Sequence, residues 1–312
     1  MGYEHTPYAP REFTPVEEAV ASLDTTDMLQ QLAHADNLTQ PITPQLNKAI
    51  FVGHLVADLD SIAGAIGAAH LYGGTPARAS DINTETHFAM HHWGVALDEI
   101  KPVEELLAAD ADARVCLVDF QQTTQLNPAI KESQIVGVID HHALQASTIV
   151  TSRPIFVDIR PWGSMSSIIA HSFVVLKRKL PKRIAGLLLC AILSDTLNLR
   201  SPTTTDWDRK IVALLVQYTG VSDVNVLCAE QFKAKSRSLS AMTPYQLCSG
   251  DLKQFKLSGP ERPVHVAFAV VETTDAKAML SRTSELLLEV VAVRTEMSDK
   301  GNAPIDAMFL AI

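Results

Sequence analysis

At 312 residues, with 47% hydrophobic and 20% charged residues, the chain is long enough for two domains and apolar enough to bury a core, which excludes disordered and fibrous classes. Its 35 acidic residues against 26 basic give a net charge of −9 with no long Lys/Arg tract, so no nucleic-acid partner is expected. The longest apolar segment, 184–193, is about half the length that a bilayer demands, so no membrane span is expected either.

The first residues, Met1-Gly2-Tyr3-Glu4-His5-Thr6, lack the basic start and apolar core of a secretory signal. They fit the loose Met-Gly-x-x-x-Ser/Thr lipidation pattern, but nothing nearby supplies a second anchor. Cys116, Cys190, Cys228 and Cys248 are scattered without metal-ligand spacing, which suits a reducing, cytoplasmic setting. Thr14-Pro15-Val16-Glu17 combines a capping box with Pro at the first helical position, and Val16, Val20, Leu23, Leu29 and Leu32 recur at partial helical spacing. One amphipathic helix is predicted there, in an extension over 1–46 that reads as a packing or dimerisation arm.

From Ile50 the pattern alternates. Strand-like runs at 50–52, 115–118, 135–139 and part of 149–157 are separated by helix-like segments at 61–71, 102–108, 166–176 and 183–193. Such alternation predicts an α/β fold with a largely parallel sheet and flanking helices.

The first strand stops at Gly53, and the residues after it are His54-Leu55-Val56-Ala57-Asp58-Leu59-Asp60-Ser61. One imidazole and two carboxylates at the C-terminal edge of a parallel strand make a candidate metal site, although Asp58 and Asp60 also suit caps of the next helix. Cys116-Leu117-Val118-Asp119 and Val138-Ile139-Asp140-His141-His142 bring two further strand ends with acids or imidazoles to the same edge. Asp195, in Leu193-Ser194-Asp195-Thr196, closes a long apolar helix as a fourth contribution. A second double histidine, His91-His92, follows His87-Phe88-Ala89-Met90 and reads as a helix end apart from this chemistry.

These residues, together with Pro-x-Gly-Ser at 161–164 and Ser-Pro-Thr-Thr-Thr-Asp at 201–206, resemble the DHH phosphoesterase superfamily and, within it, the family II (manganese-dependent) inorganic pyrophosphatases. The resemblance covers about residues 48–312. It implies a metal-binding catalytic domain over 47–232, a linker over 233–242 and a partial α/β domain over 243–312 that closes on substrate and reads as truncated. It also implies two Mn²⁺ ions per site, with Co²⁺ or Mg²⁺ as alternatives. His54 and Asp58 would serve one ion and Asp60 and His141 the other, with Asp119 and Asp195 bridging both.

In that chemistry the paired ions, about 3.5–4 Å apart, acidify a water whose hydroxide attacks phosphorus in line, cleaving pyrophosphate into two phosphates. By resemblance His142 contacts substrate and protonates the leaving oxygen, while Lys253 and Arg200 contact phosphate. The resemblance admits a homodimer. Three departures stand out. Val56-Ala57 replaces the family's Asn-Pro, Phe120-Gln121-Gln122 replaces His-Asn-Glu, and the sequence stops at Ile312 before the Ser-Arg-Lys-Lys motif, for which Arg282 sits too early in a helical stretch. Two alternatives therefore stay open. One is an enzyme acting on short polyphosphate or nucleotides; the other is a metal-binding interaction protein with weakened catalysis.

Overall fold

Unbroken apolar runs form strands whose side chains are buried on both faces, as a sheet covered by helices on each side requires. The computed structural model describes residues 15–35, 43–144, 147–249, 252–259, 262–271, 273, 276–300 and 304–312. Thr14 of the expected capping box, Met1 and Gly2 of the lipidation pattern, and Gly250 and Asp251 ahead of Lys253 lie outside them.

Two short helices, α1 (Val16–Ser22) and α2 (Thr26–Ala33), stand where one was expected. Leu23 adopts an extended backbone, and Asp24 accepts the Thr26 amide at 3.0 Å, a local bond that begins a new helix instead of continuing the old one. The chain then alternates through β1 (Ile50–Val52), α3 (Leu59–Tyr72), β2 (Thr75–Arg78), α4 (Thr84–His92), β3 (Lys101–Pro102), α5 (Val103–Ala109), β4 (Val115–Val118), β5 (Ile135–Asp140) and β6 (Phe156–Ile159). Four helices follow: α6 (Met165–Val175), α7 (Lys182–Asp195), α8 (Asp206–Thr219) and α9 (Val224–Ala241).

All six strands are parallel, in the order β3-β2-β1-β4-β5-β6. The chain steps outward from β1 in one direction and from β4 in the other, so the crevice of the sheet opens between those two strands, where α/β proteins bind ligands. One sheet face is covered by Val103 and Leu107 of α5, packed with Ile50, Val52, Val115 and Leu117. On the other face Phe51 stacks on Tyr72 of α3 at 6.0 Å, and α3 packs against α6 and α7. Gly64 permits that closeness, because a Cβ there would lie 1.8 Å from Met165 Cε. α1 packs on α8 and α2 on α6, so the N-terminal helices belong to this unit, which spans Met1–Gln231.

The second unit, Phe232–Ile312, holds α10 (Pro244–Ser249), β7 (Leu252–Leu257), β8 (Val264–Val270), α11 (Ala276–Ser281), α12 (Thr283–Lys300) and β9 (Ala307–Ala311). Its three-stranded sheet runs β7-β8-β9, antiparallel then parallel. Leu252, Met308 and Leu310 pack with α10 and α12. The stretch 233–242, expected as a linker, is mostly the last part of α9. Arg282 lies at the junction of α11 and α12, and donates to the Met242 carbonyl at 3.0 Å. Among the described residues no single helix is long and apolar enough to cross a membrane.

Candidate metal centre

The expected metal ligands gather at the C-terminal ends of β1, β4 and β5 and the end of α7. Gly53 turns the chain out of β1; a Cβ there would lie 2.4 Å from Ser61 Cβ, so only glycine lets the strand end pass the first turn of α3. Asp58 is the N-cap of α3: its Oδ1 accepts the Ser61 amide at 2.9 Å, and the Ser61 hydroxyl accepts the Asp58 amide at 3.1 Å. The capping alternative therefore holds for Asp58, but only for one of its oxygens. The other, Oδ2, lies 3.4 Å from His54 Nε2.

Asp119 follows β4 directly, with a left-handed backbone (φ 69°) that Asp tolerates better than most residues. Its Oδ2 faces His54 Nε2 at 3.4 Å and its Oδ1 faces His141 Nε2 at 3.2 Å. Asp60 is buried; it accepts the amides of Met165 at 2.7 Å and Ser166 at 2.9 Å, a carboxylate seated on the N-terminus of α6. Asp195 ends α7, where the helix dipole is negative and disfavours an unpaired carboxylate.

Three clusters result: His54–Asp58–Asp119, Asp60–His141–Asp195 and Asp119–His141–His142. Asp119 shares clusters with ligand atoms from both sides. Asp195, expected to bridge as well, enters from the end of α7 and clusters with Asp60 and His141, while Asp58 and Asp119 also act on its charge.

The electrostatics call for cations. Burial and then Asp60 push Asp195 well above the usual carboxylate range, and burial and Asp119 raise Asp60. Burial opposes charge on His54, but Asp58 and Asp119 overcome it and hold the ring well above its ordinary value. Burial likewise opposes charge on His141, and Asp119 and Asp60 nevertheless raise it to about 10. Burial also works against the Asp119 anion, yet His141 and His54 keep its carboxyl well below the usual range. Divalent ions would neutralise the same buried carboxylates.

The donor set fits such ions. Asp119 Oδ1 is buried, and among the described residues its nearest cationic partner is the His141 ring, at 3.2 Å. His141 Nδ1 lies 3.0 Å from the Trp162 carbonyl, which can only accept, so Nδ1 carries a proton and Nε2, 3.2 Å from Asp119 Oδ1, is the ring nitrogen left for an ion. A cation there would take the place of the Nε2 proton that His141 otherwise shares with Asp119. Imidazole in each triad suits Mn²⁺ or Co²⁺ better than Mg²⁺.

His142 is the exposed member of the group, with 52% of its side chain accessible. Asp140 holds it: Asp140 Oδ1 accepts the His142 ring Nδ1 at 2.8 Å and the amides of His141 at 2.7 Å and His142 at 3.2 Å. Sequence reasoning gave Asp140 no role, although its place ahead of two histidines was the available signal. Phe120, standing where a polar residue was noted as missing, is buried and meets the His54 ring edge-on at 6.4 Å. Gln121 Nε2 donates to the Ala143 carbonyl at 3.0 Å and ties the end of β4 to the Asp-His-His turn.

Arg200 is exposed, five residues beyond Asp195, after the left-handed turn Leu197-Asn198-Leu199. Lys253 lies on β7 in the second unit. His91 and His92 occupy the last turn of α4, both exposed, and join none of the three clusters.

Comparison with known proteins agrees with this geometry. Residues 48–192 match the DHH family, N-terminal domain. A manganese-dependent inorganic pyrophosphatase of Methanocaldococcus jannaschii is 32% identical over 243 residues, 75% of each chain. One of Methanothrix thermoacetophila is 33% identical over 245 residues, 77% of this chain and 74% of that protein. A crystal structure described as a putative family II inorganic pyrophosphatase of Methanococcus jannaschii superposes with a TM-score of 0.66 at 31% identity, over 83% of this chain and 82% of that one.

Proposed function

From the premise that this chain belongs to the DHH superfamily, in its family II (manganese-dependent) inorganic pyrophosphatase branch, we propose that it hydrolyses inorganic pyrophosphate to two phosphates with two Mn²⁺ ions. The observation that carries this reading is Asp119, whose two carboxylate oxygens face two different histidines at 3.4 and 3.2 Å.

His54 and Asp58 would hold one ion, and Asp60, His141 and Asp195 the other, with Asp119 bridging. When bound, such a pair lowers the pKa of water and neutralises charge on the phosphoryl oxygens. The chain's own groups do the rest. Asp140 fixes Nδ1 of His142, which leaves Nε2 as the ring nitrogen able to hand a proton to the departing phosphate oxygen. Burial opposes charge on His142, but Asp140 and Asp119 raise it above the ordinary value, which keeps that proton available near neutral pH. Phe120 closes one side of His54 to water. Arg200 would contribute positive charge toward phosphate, and the family resemblance gives Lys253 the same role. A cytoplasmic location and a homodimer complete the reading.

The test is phosphate release from pyrophosphate, tripolyphosphate and a nucleoside triphosphate, each with Mn²⁺ and Mg²⁺. Pyrophosphate with Mn²⁺ should be fastest. Faster release from tripolyphosphate or the nucleotide overturns the substrate assignment.

A further inference from the structure

The segment between β6 and α6 touches two ion ligands at once. The Trp162 carbonyl accepts from His141 Nδ1 at 3.0 Å, and the Met165 and Ser166 amides hold Asp60 at 2.7 and 2.9 Å. Both residues belong to the Asp60–His141–Asp195 cluster. His54 and Asp58 are set by different neighbours: the Ser61 capping box, and Ser80, whose hydroxyl accepts the Ala57 amide at 3.0 Å.

The first turn of α8 grips this segment from outside. Asp208, fully buried, accepts the Gly163 amide at 2.8 Å and the Ser167 hydroxyl at 2.7 Å. Its neighbour Trp207 stacks on Trp162, with centroids 5.1 Å apart and planes 15° from parallel. His171 meets both indoles edge-on, at 5.3 and 4.9 Å. Arg160, anchored on Asp158 by two 2.8 Å bonds, donates to His171 Nδ1 at 3.0 Å and places its guanidinium 5.0 Å from the Trp162 ring. Lys210 Nζ lies 5.9 Å from the Trp207 ring on the same helix. Trp207 remains 41% exposed, so it can be replaced without opening the core.

We propose that the Trp162–Trp207 stack is a positioning clamp for one ion site only. Trp207 is its outer jaw: it fixes the Trp162 peptide, whose carbonyl holds the His141 Nδ1 proton, so that Nε2 is presented to Asp119 and the ion. The proposal rests on the two-ion reading above for its functional meaning, and on the contacts of the chain's own residues for its structure. Neighbours that orient metal-ligating histidines commonly change metal affinity about 10–100-fold when removed.

The experiment uses the full chain and three substitutions at one position. Trp207→Ala removes the jaw, Trp207→Leu keeps apolar bulk without a stacking face, and Trp207→Phe keeps an aromatic face. Mn²⁺ binding is measured by chelator competition in each, and again with Trp207→Leu added to His54→Ala and to Asp195→Asn. Trp207→Leu should weaken one Mn²⁺ site about 10–100-fold. The loss should appear in the His54→Ala background, where the Asp60 cluster remains, and be absent in the Asp195→Asn background. Trp207→Phe should recover most of the affinity.

In the metal-free protein, histidine ¹⁵N NMR should show a hydrogen-bonded, slowly exchanging His141 Nδ1–H in the wild type and a broadened, faster-exchanging one in Trp207→Leu. Equal weakening of both sites, or a lower Tm with an unchanged Mn²⁺ isotherm and His141 signal, overturns the clamp. A wild type that binds fewer than two Mn²⁺ overturns the two-ion reading instead, and the metal-free His141 signal still decides the clamp by itself.

Discussion

Asp58 and Ser61 cap one another across the first turn of α3, the Ser61 amide donating to Asp58 Oδ1 at 2.9 Å and the Asp58 amide to Ser61 Oγ at 3.1 Å. The pairing leaves Asp58 Oδ2 free to face His54. Ser61→Ala should therefore cost about 1 kcal/mol in urea denaturation of the metal-free protein, within the range of lost helix caps. Because the Ser61 amide still holds Asp58 Oδ1 in that variant, Mn²⁺ binding at the His54–Asp58–Asp119 site should change little. A large loss of ion binding would show that the hydroxyl, and not the amide, aims the carboxylate.

Asp119→Asn and Asp195→Asn should differ in kind. Asp119 joins clusters with His54 and with His141, whereas Asp195 clusters with Asp60 and His141. Metal counting after gel filtration should find Asp119→Asn with neither ion held tightly and Asp195→Asn with one. Asn tolerates a left-handed backbone as Asp does, so the φ of 69° at residue 119 is no obstacle to folding of that variant. Two retained ions in Asp119→Asn would remove it from the bridging position.

Metal uptake should release protons. In the metal-free protein His141 keeps its proton up to about pH 10, against about 6.5 for an unperturbed imidazole. Its folded-state value is raised, so its contribution to stability is full below pH ~6.5 and is lost as the pH climbs through about 10. A cation at Nε2 must displace that proton, and the raised Asp195 carboxyl must lose its own. Mn²⁺ affinity should rise with pH, and calorimetry at pH 7 in two buffers of different ionisation enthalpy should give different heats. Identical heats would contradict proton release.

The two double histidines should separate cleanly. His91→Ala and His92→Ala remove exposed side chains at the end of α4 and should leave Mn²⁺ content and turnover unchanged. His141→Ala should lose one ion. His142→Ala should keep both, yet lower kcat about 100-fold or more, as loss of a proton donor does. A metal loss in His91→Ala or His92→Ala would show that the exposed pair also binds.

What the sequence made legible was local. A His or Asp within two residues of the end of an apolar run marks a strand end, and for His54, Asp119 and His141 that pattern and the fold coincide. The orienting contacts carried no such mark. The acceptor for His141 Nδ1 is a backbone carbonyl 21 residues away, which any side chain at position 162 would provide. Asp208 was visible at most as the end of a Thr205-x-x-Asp cap; that it also reaches Gly163 and Ser167 follows from how α8 crosses α6. The resemblance implied a linker over 233–242, yet Ala, Lys and Arg are good helix formers, and α9 continues through Lys233, Lys235 and Arg237. Order along the chain could not show that Asp195 enters beside Asp60.

The parallel pairing of β1 with β4 has a consequence in time. Ile50 aligns with Val115, so the sheet's central contact waits until the intervening β2, β3 and their helices have been made and folded past one another, a slow kind of closure. His54 and Asp119 become neighbours only when that contact forms, and Asp195 arrives later still, from the end of α7. A nascent chain released before that helix lacks a complete second site. Once the full chain has closed, each ion that binds it but not the unfolded form adds about 2.7 kcal/mol when its free concentration is a hundred times its dissociation constant. Manganese supply would then set how long the folded enzyme persists as well as how fast it turns over.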